Sequence, residues 1–245
     1  MTAIMLLCQN HSVLTKLENR KATGKNSPVE EYVSFLNDLR RVGFSSAEGI
    51  SSPGSNFINL GLVLIQDNKK IYDVQYFVRN LEKFMKSLIM HSSGTPLHFI
   101  IITSRKSIDL FQGFFFNFIS KSVAERIIED RHWRWKRFHG FPGLRFSFVD
   151  IKSLTDTNQE FIMGLKNSTF GLKDNKYSED LFYISPLFPQ TFLALDKMML
   201  LDGGDLIFYS DIKLLNDQFR NMELERRLIG AARDLSPHYR SMLKQ

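Results

Sequence analysis

Apolar residues along this chain fall into two textures, near-continuous runs and helically spaced stripes, and the two alternate. Phe57-Ile58-Asn59-Leu60-Gly61-Leu62-Val63-Leu64-Ile65 is a run of the kind found in a strand buried on both faces. From Tyr76 to Ile89 the apolar positions Phe77, Leu81, Phe84, Met85 and Leu88 recur at the spacing of one helix face. A breaker cluster, Ser92-Ser93-Gly94-Thr95-Pro96, precedes a second run, Leu97-His98-Phe99-Ile100-Ile101-Ile102-Thr103. Residues 107–128 are helical in pattern, and Arg145-Phe146-Ser147-Phe148-Val149-Asp150 alternates like a third strand. A helix over residues 177–184 and a fourth strand over residues 197–201 complete the series. Strand, helix, strand, helix, strand is the rhythm of a parallel sheet with helices packed outside it.

Before residue 57 the texture is different. Residues 1–56 are rich in Ser, Asn, Lys and Glu, and Ser45-Ser46-Ala47-Glu48-Gly49-Ile50-Ser51-Ser52-Pro53-Gly54-Ser55 has the composition of a linker. Tyr32, Phe35, Leu36 and Leu39 predict one helix over residues 29–41, within what reads as a stem or loosely ordered extension. The predicted organisation is therefore an extension over 1–56 and one α/β unit over 57–245.

Composition changes this picture little. The 245 residues are 43% hydrophobic and 24% charged, which selects no class. A net charge of +6 permits an anionic partner without requiring one. The 22 Phe residues are core material first. A lone cysteine, Cys8, excludes an internal disulfide and has no nearby His to make it a nucleophile. Two sequons for N-linked glycans occur, Asn10-His11-Ser12 and Asn167-Ser168-Thr169. No apolar stretch approaches the ~20 residues that a membrane-spanning helix needs.

Candidate chemistry concentrates after the fourth predicted strand, at Asp202-Gly203-Gly204-Asp205. Two readings stand. A Gly-Gly pair flanked by Asp makes an ordinary surface turn. Carboxylates at the carboxyl end of a parallel strand can instead hold Mn²⁺ or Mg²⁺ against phosphate oxygens. The first strand ends in Ile65-Gln66-Asp67-Asn68, either an ordinary polar βα loop or the place where a nucleotide base and ribose sit in such a sheet. Neither G-x-G-x-x-G nor a Walker A sequence is present, so the usual dinucleotide and NTPase classes lose support. The six histidines show no H-E-x-x-H spacing. Arg131-His132-Trp133-Arg134-Trp135-Lys136-Arg137-Phe138-His139 interleaves basic and aromatic residues, either as a single-strand nucleic-acid platform or as a basic segment with its rings docked on the protein.

Three ordered segments resemble a known family. They are Tyr177-Ser178-Glu179-Asp180-Leu181-Phe182-Tyr183, then Met199-Leu200-Leu201-Asp202-Gly203-Gly204-Asp205-Leu206, then Ile229-Gly230-Ala231-Ala232-Arg233-Asp234-Leu235-Ser236-Pro237-His238-Tyr239-Arg240. Together they are similar to the xyloside alpha-1,3-xylosyltransferases, family 8 glycosyltransferases of GT-A fold. The resemblance implies a GT-A-like, Rossmann-like, mostly parallel α/β sheet. It implies retaining transfer of xylose from UDP-xylose to a xylosyl-glucose glycan on EGF-like repeats, with Mn²⁺. It assigns the metal to Asp202 and Asp205, and donor contacts to Ile65, Gln66, Asp67, Gly203 and Gly204; it names no catalytic residue. It also implies the luminal side of the endoplasmic reticulum membrane, a membrane anchor in the full-length protein, and no nucleic-acid partner.

This chain departs from the family in having two residues, not one, between the acids. An inserted residue moves a carboxylate by about 3 Å along an extended chain. The family's later Asn-Ser-Gly stretch, its acceptor-binding half and its His metal ligand have no counterpart before Gln245, which points to a C-terminally incomplete chain. Two other functions fit the sequence, an inactive relative that binds a protein partner and a basic nucleic-acid-binding module centred on Trp133 and Trp135.

Overall fold

A computed structural model describes residues 28–66, 71–92, 95–129, 143–168, 184, 187–201, 203–204 and 206–224. Four strands form one sheet, β1 (Ile58–Val63), β2 (Leu97–Thr103), β3 (Leu144–Asp150) and β4 (Met199–Leu201). They lie in the order β3-β2-β1-β4, and every pair is parallel. The helices are α1 (Pro28–Arg41), α2 (Ile71–Met90), α3 (Ile108–Glu129), α4 (Ile151–Thr157), α5 (Gln159–Ser168), α6 (Phe188–Thr191) and α7 (Ile212–Leu224). The fold is α/β and Rossmann-like, a parallel sheet with helices on both faces.

Alternation along the strands divides the core in two. Leu60, Leu62, Phe99, Ile101, Phe146, Phe148, Met199 and Leu201 share one cluster with Leu81, Phe84, Met85 and Leu88 of α2 and Phe111, Phe115 and Phe116 of α3. On the other face, Ile100, Ile102 and Val149 meet Leu154 of α4, Ile162 of α5 and Leu187, Phe188 and Phe192 around α6. The apolar stripe read for the first long helix is thus α2's packing face. All four predicted strands form within a residue or two of their expected bounds.

Residues 28–56 correct the expectation of a loose extension, because they belong to the packed body. Leu36 and Leu39 of α1 are buried in the larger cluster. The Arg40 guanidinium lies 3.6 Å above the Phe116 ring of α3. The linker-like stretch contributes Ala47 and Ile50 to the second cluster, and Phe44 makes a parallel bridge to Phe148. Its polar composition reflects a path along the surface with a few anchors, not a lack of packing.

Two helices, α4 and α5, follow β3 with no intervening breaker. Asp150 ends the strand and caps α4, its carboxylate accepting the Lys152 N–H at 3.0 Å. The expected helix over residues 177–184 falls outside the described residues except for Ile184, which is buried. The basic-aromatic run 131–139, Cys8 and the segment 229–240 also lie outside them.

Candidate functional site

From β1 the chain moves outward through β2 to β3, then returns to place β4 on the opposite side of β1. Strand order therefore reverses between β1 and β4, and the carboxyl ends of these two strands border the crevice where open parallel sheets take ligands. Of the residues expected there, Ile65, Gln66, Gly203 and Gly204 are described. Asp67, Asp202 and Asp205 lie outside the described residues.

The tip of β1 is pinned from the side. Leu64 N–H continues the ladder to Ile102 O at 2.9 Å, and Gln66 N–H donates to Ser107 Oγ at 2.9 Å. Ser107 is buried in the turn from β2 to α3, where its own N–H reaches Ser104 O at 3.1 Å. Nothing in the apolar pattern singles out Ser107; its position at the start of a predicted helix was the available signal. Ile65 and Gln66 are half-buried. Two shielded oxygens near this edge, Gln66 Oε1 and Thr103 Oγ1, have no hydrogen-bond partner among the described residues.

The Gly203-Gly204 turn packs against the same tip. β4 reaches it through Leu201, which pairs with Leu62. A Cβ on Gly203 would come within 2.9 Å of Leu64 Cδ2, inside any normal contact. Gly204 has φ of +120°, a conformation that side-chain-bearing residues rarely adopt, and it rests on Phe77, Asn80 and Leu81 of α2. The backbone at Gly204 therefore favours glycine, and any side chain at Gly203 would have to displace the buried Leu64 methyl. Beyond the turn, Phe208 N–H donates to Ser87 Oγ at 3.0 Å and its ring meets Phe84 edge-on, so this segment lies along α2.

At the other end of the carboxyl edge, Arg105 Nε donates to Asp150 Oδ2 at 2.9 Å. Arg105 is largely exposed, so the pair adds little stability beyond orienting the Asp150 cap. Among the described residues no three His, Cys, Asp or Glu side chains come together as a metal site.

A second polar arrangement, unforeseen in the sequence, crosses the sheet near the amino ends of its strands. Asn59 Nδ2 donates to Lys197 O at 2.9 Å, just ahead of β4. Its Oδ1 lies 3.0 Å from His98 Nδ1, and His98 Nε2 lies 2.9 Å from Ser147 Oγ. Because the Asn59 amide nitrogen is used on a carbonyl, Oδ1 must accept, so Nδ1 carries the imidazole proton and Nε2 accepts from Ser147. Serine, imidazole and amide stand in the order of a nucleophile, base and orienting group. Burial first, and the neighbouring Arg145 second, push His98 from 6.5 down to about 4. That is a weak base on a residue only 2% exposed. These bonds act as a polar stitch across β3, β2 and β1 to the segment that leads into β4.

The stitch makes a pH prediction. A histidine whose folded pKa is depressed gives stability that is full above about 6.5 and is lost as pH falls towards 4, because the unfolded state binds the proton first. At about 1.4 kcal/mol per unit, the loss is roughly 3 kcal/mol. Urea unfolding at pH 7 and pH 4 should show wild type losing that much more than His98→Gln; equal losses would refute the assignment.

No protein-family model matches the chain, and no curated protein matches it. Among solved structures, it is similar to mouse xyloside xylosyltransferase 1 in its apo form, with 16% identity and a TM-score of 0.40. The match covers 67% of this chain and 48% of that one, so the chain spans about half the length of that protein.

Proposed function

We propose that this chain is the donor-binding part of a glycosyltransferase with a GT-A-like sheet. More finely, we propose that it serves xylose transfer from UDP-xylose to a xylosyl-glucose glycan on EGF-like repeats, on the luminal side of the endoplasmic reticulum membrane. The observation that carries the reading is the Gly203-Gly204 turn, packed on the tip of β1 at the point where strand order reverses. Its neighbours in sequence are Asp202 and Asp205, and the flanking segments resemble the xylosyltransferases.

In this proposal Asp202 and Asp205 hold Mn²⁺, which neutralises the diphosphate leaving group when bound. Gln66 and the backbone around Ile65 and Asp67 take the nucleoside. The shielded Gln66 Oε1 is an acceptor that a donor on the ligand would satisfy. The glycine turn lets the diphosphate approach backbone without side-chain obstruction. A glycoprotein acceptor would be bound elsewhere in the full-length enzyme.

Calorimetric titration of UDP with and without Mn²⁺ tests this. Binding should require the metal, and Asp202→Asn or Asp205→Asn should weaken it at least tenfold, about 1.4 kcal/mol. Equal affinity in both conditions sinks the metal-dependent reading.

One observation favours a second reading, a protein-interaction module without catalysis. Leu200 on β4, Leu206 and Ile207 after the turn, and Leu214 and Leu215 of α7 are exposed apolar residues. UDP binding that needs Mn²⁺ would count against it, whereas its absence would leave this reading ahead.

A further inference from the structure

The sequon Asn167-Ser168-Thr169 takes on meaning from its place in the fold. Asn167 is exposed in the last turn of α5, and Thr169 supplies the hydroxyl two residues on. The helix is anchored by Ile162, which is 1% exposed. Five residues later, Asn167 is rotated roughly 140° around the helix and faces away from the core. Met163, one turn earlier and on Asn167's side, is 56% exposed. Helical side chains lean towards the amino end and cover the turn before their own. A group attached to Asn167 would therefore lie over Met163.

We propose that Asn167 is an acceptor for an N-linked glycan, and that the glycan shields exposed Met163 on the same side of α5. The proposal rests on the luminal placement suggested above. The donor is an oligosaccharide joined through its anomeric carbon to a lipid diphosphate. The anomeric C–O bond breaks, a C–N bond forms to Asn167 Nδ2, the amide loses one proton, and the lipid diphosphate leaves. An exposed site on the solvent side of a helix can carry such a bulky group without disturbing the core. The other sequon, at Asn10, lies outside the described residues.

The test translates the full chain with endoplasmic reticulum microsomes, with and without an added cleavable signal sequence. All variants carry Asn10→Gln, so that any product reports on one site. With the signal, we expect one slower-migrating band that peptide-N-glycosidase removes. Asn167→Gln should abolish it, and so should Thr169→Ala, which keeps the asparagine but removes the recognition hydroxyl. No band with the signal present, or a band that persists in either variant, overturns the inference. A band only with the added signal leaves the site standing and overturns luminal entry of this chain by itself. A band in both arms supports the site and the luminal reading together.

Discussion

Replacing Phe99 by alanine is expected to destabilise the protein by roughly 3–5 kcal/mol, a large part of the stability of an ordinary domain. Phe99 sits in the middle of β2, fully buried. Its ring stacks on Phe146 at 5.1 Å with 14° between planes, and Phe115 lies 6.4 Å away. Phe115 also contacts Phe146 at 4.9 Å, so three rings from two strands and a helix close on one another. The strands on either side hold Leu60 and Phe146 in register with Phe99. They cannot slide inward to fill the space, so the truncation leaves a cavity. Urea denaturation should show a lower midpoint with an unchanged slope, and Phe99→Leu should cost much less. A loss below about 1 kcal/mol would mean that the cluster is not packed as described.

The second large effect is expected at Leu36→Ala, at roughly 2–5 kcal/mol. It separates a packed α1 from a detached extension. Leu36 is 1% exposed among residues of the main core. The helix is held further by Arg40 over Phe116, and by the Gln112 side-chain amide donating to Val42 O just past its end. An apolar truncation in a loose stem changes stability by no more than about 0.5 kcal/mol. The exposed neighbour Asn37 provides the control: Asn37→Ala should fall within that small range, while Leu36→Ala should not. Equal, small effects at both positions would return residues 28–41 to the extension.

What could be read from the chain follows from what periodicity encodes. Alternation and helical spacing record which face an element buries. That is why β1, β2, β3 and α3 were legible almost to their ends, whereas α2 begins at Ile71, five residues before the expected Tyr76. The spacing of Tyr32 to Leu39 likewise showed that α1 is a helix. It could not show what α1 packs against, and the polar stretch after it suggested a linker where Ala47 and Ile50 are core anchors. Helices α4 and α5 escaped notice because Asp150 serves as both strand end and helix cap, so no Gly or Pro marks the junction.

By itself, then, the sequence determined the four strands and helices α1 to α3, their parallel α/β rhythm and the family resemblance carried by Asp202-Gly203-Gly204-Asp205 and its flanking segments. Only the tertiary structure decided that β4 lies beside β1. That pairing sets Gly203 so close to Leu64 that a Cβ there would lie 2.9 Å from its Cδ2. It also let Asn59 reach Lys197 across 138 residues of sequence and gave His98 its single tautomer. The physical reason is the same in each case. An element's buried face is set by side chains a few residues apart, whereas strand order and buried polar pairing depend on groups that meet only once the chain has folded.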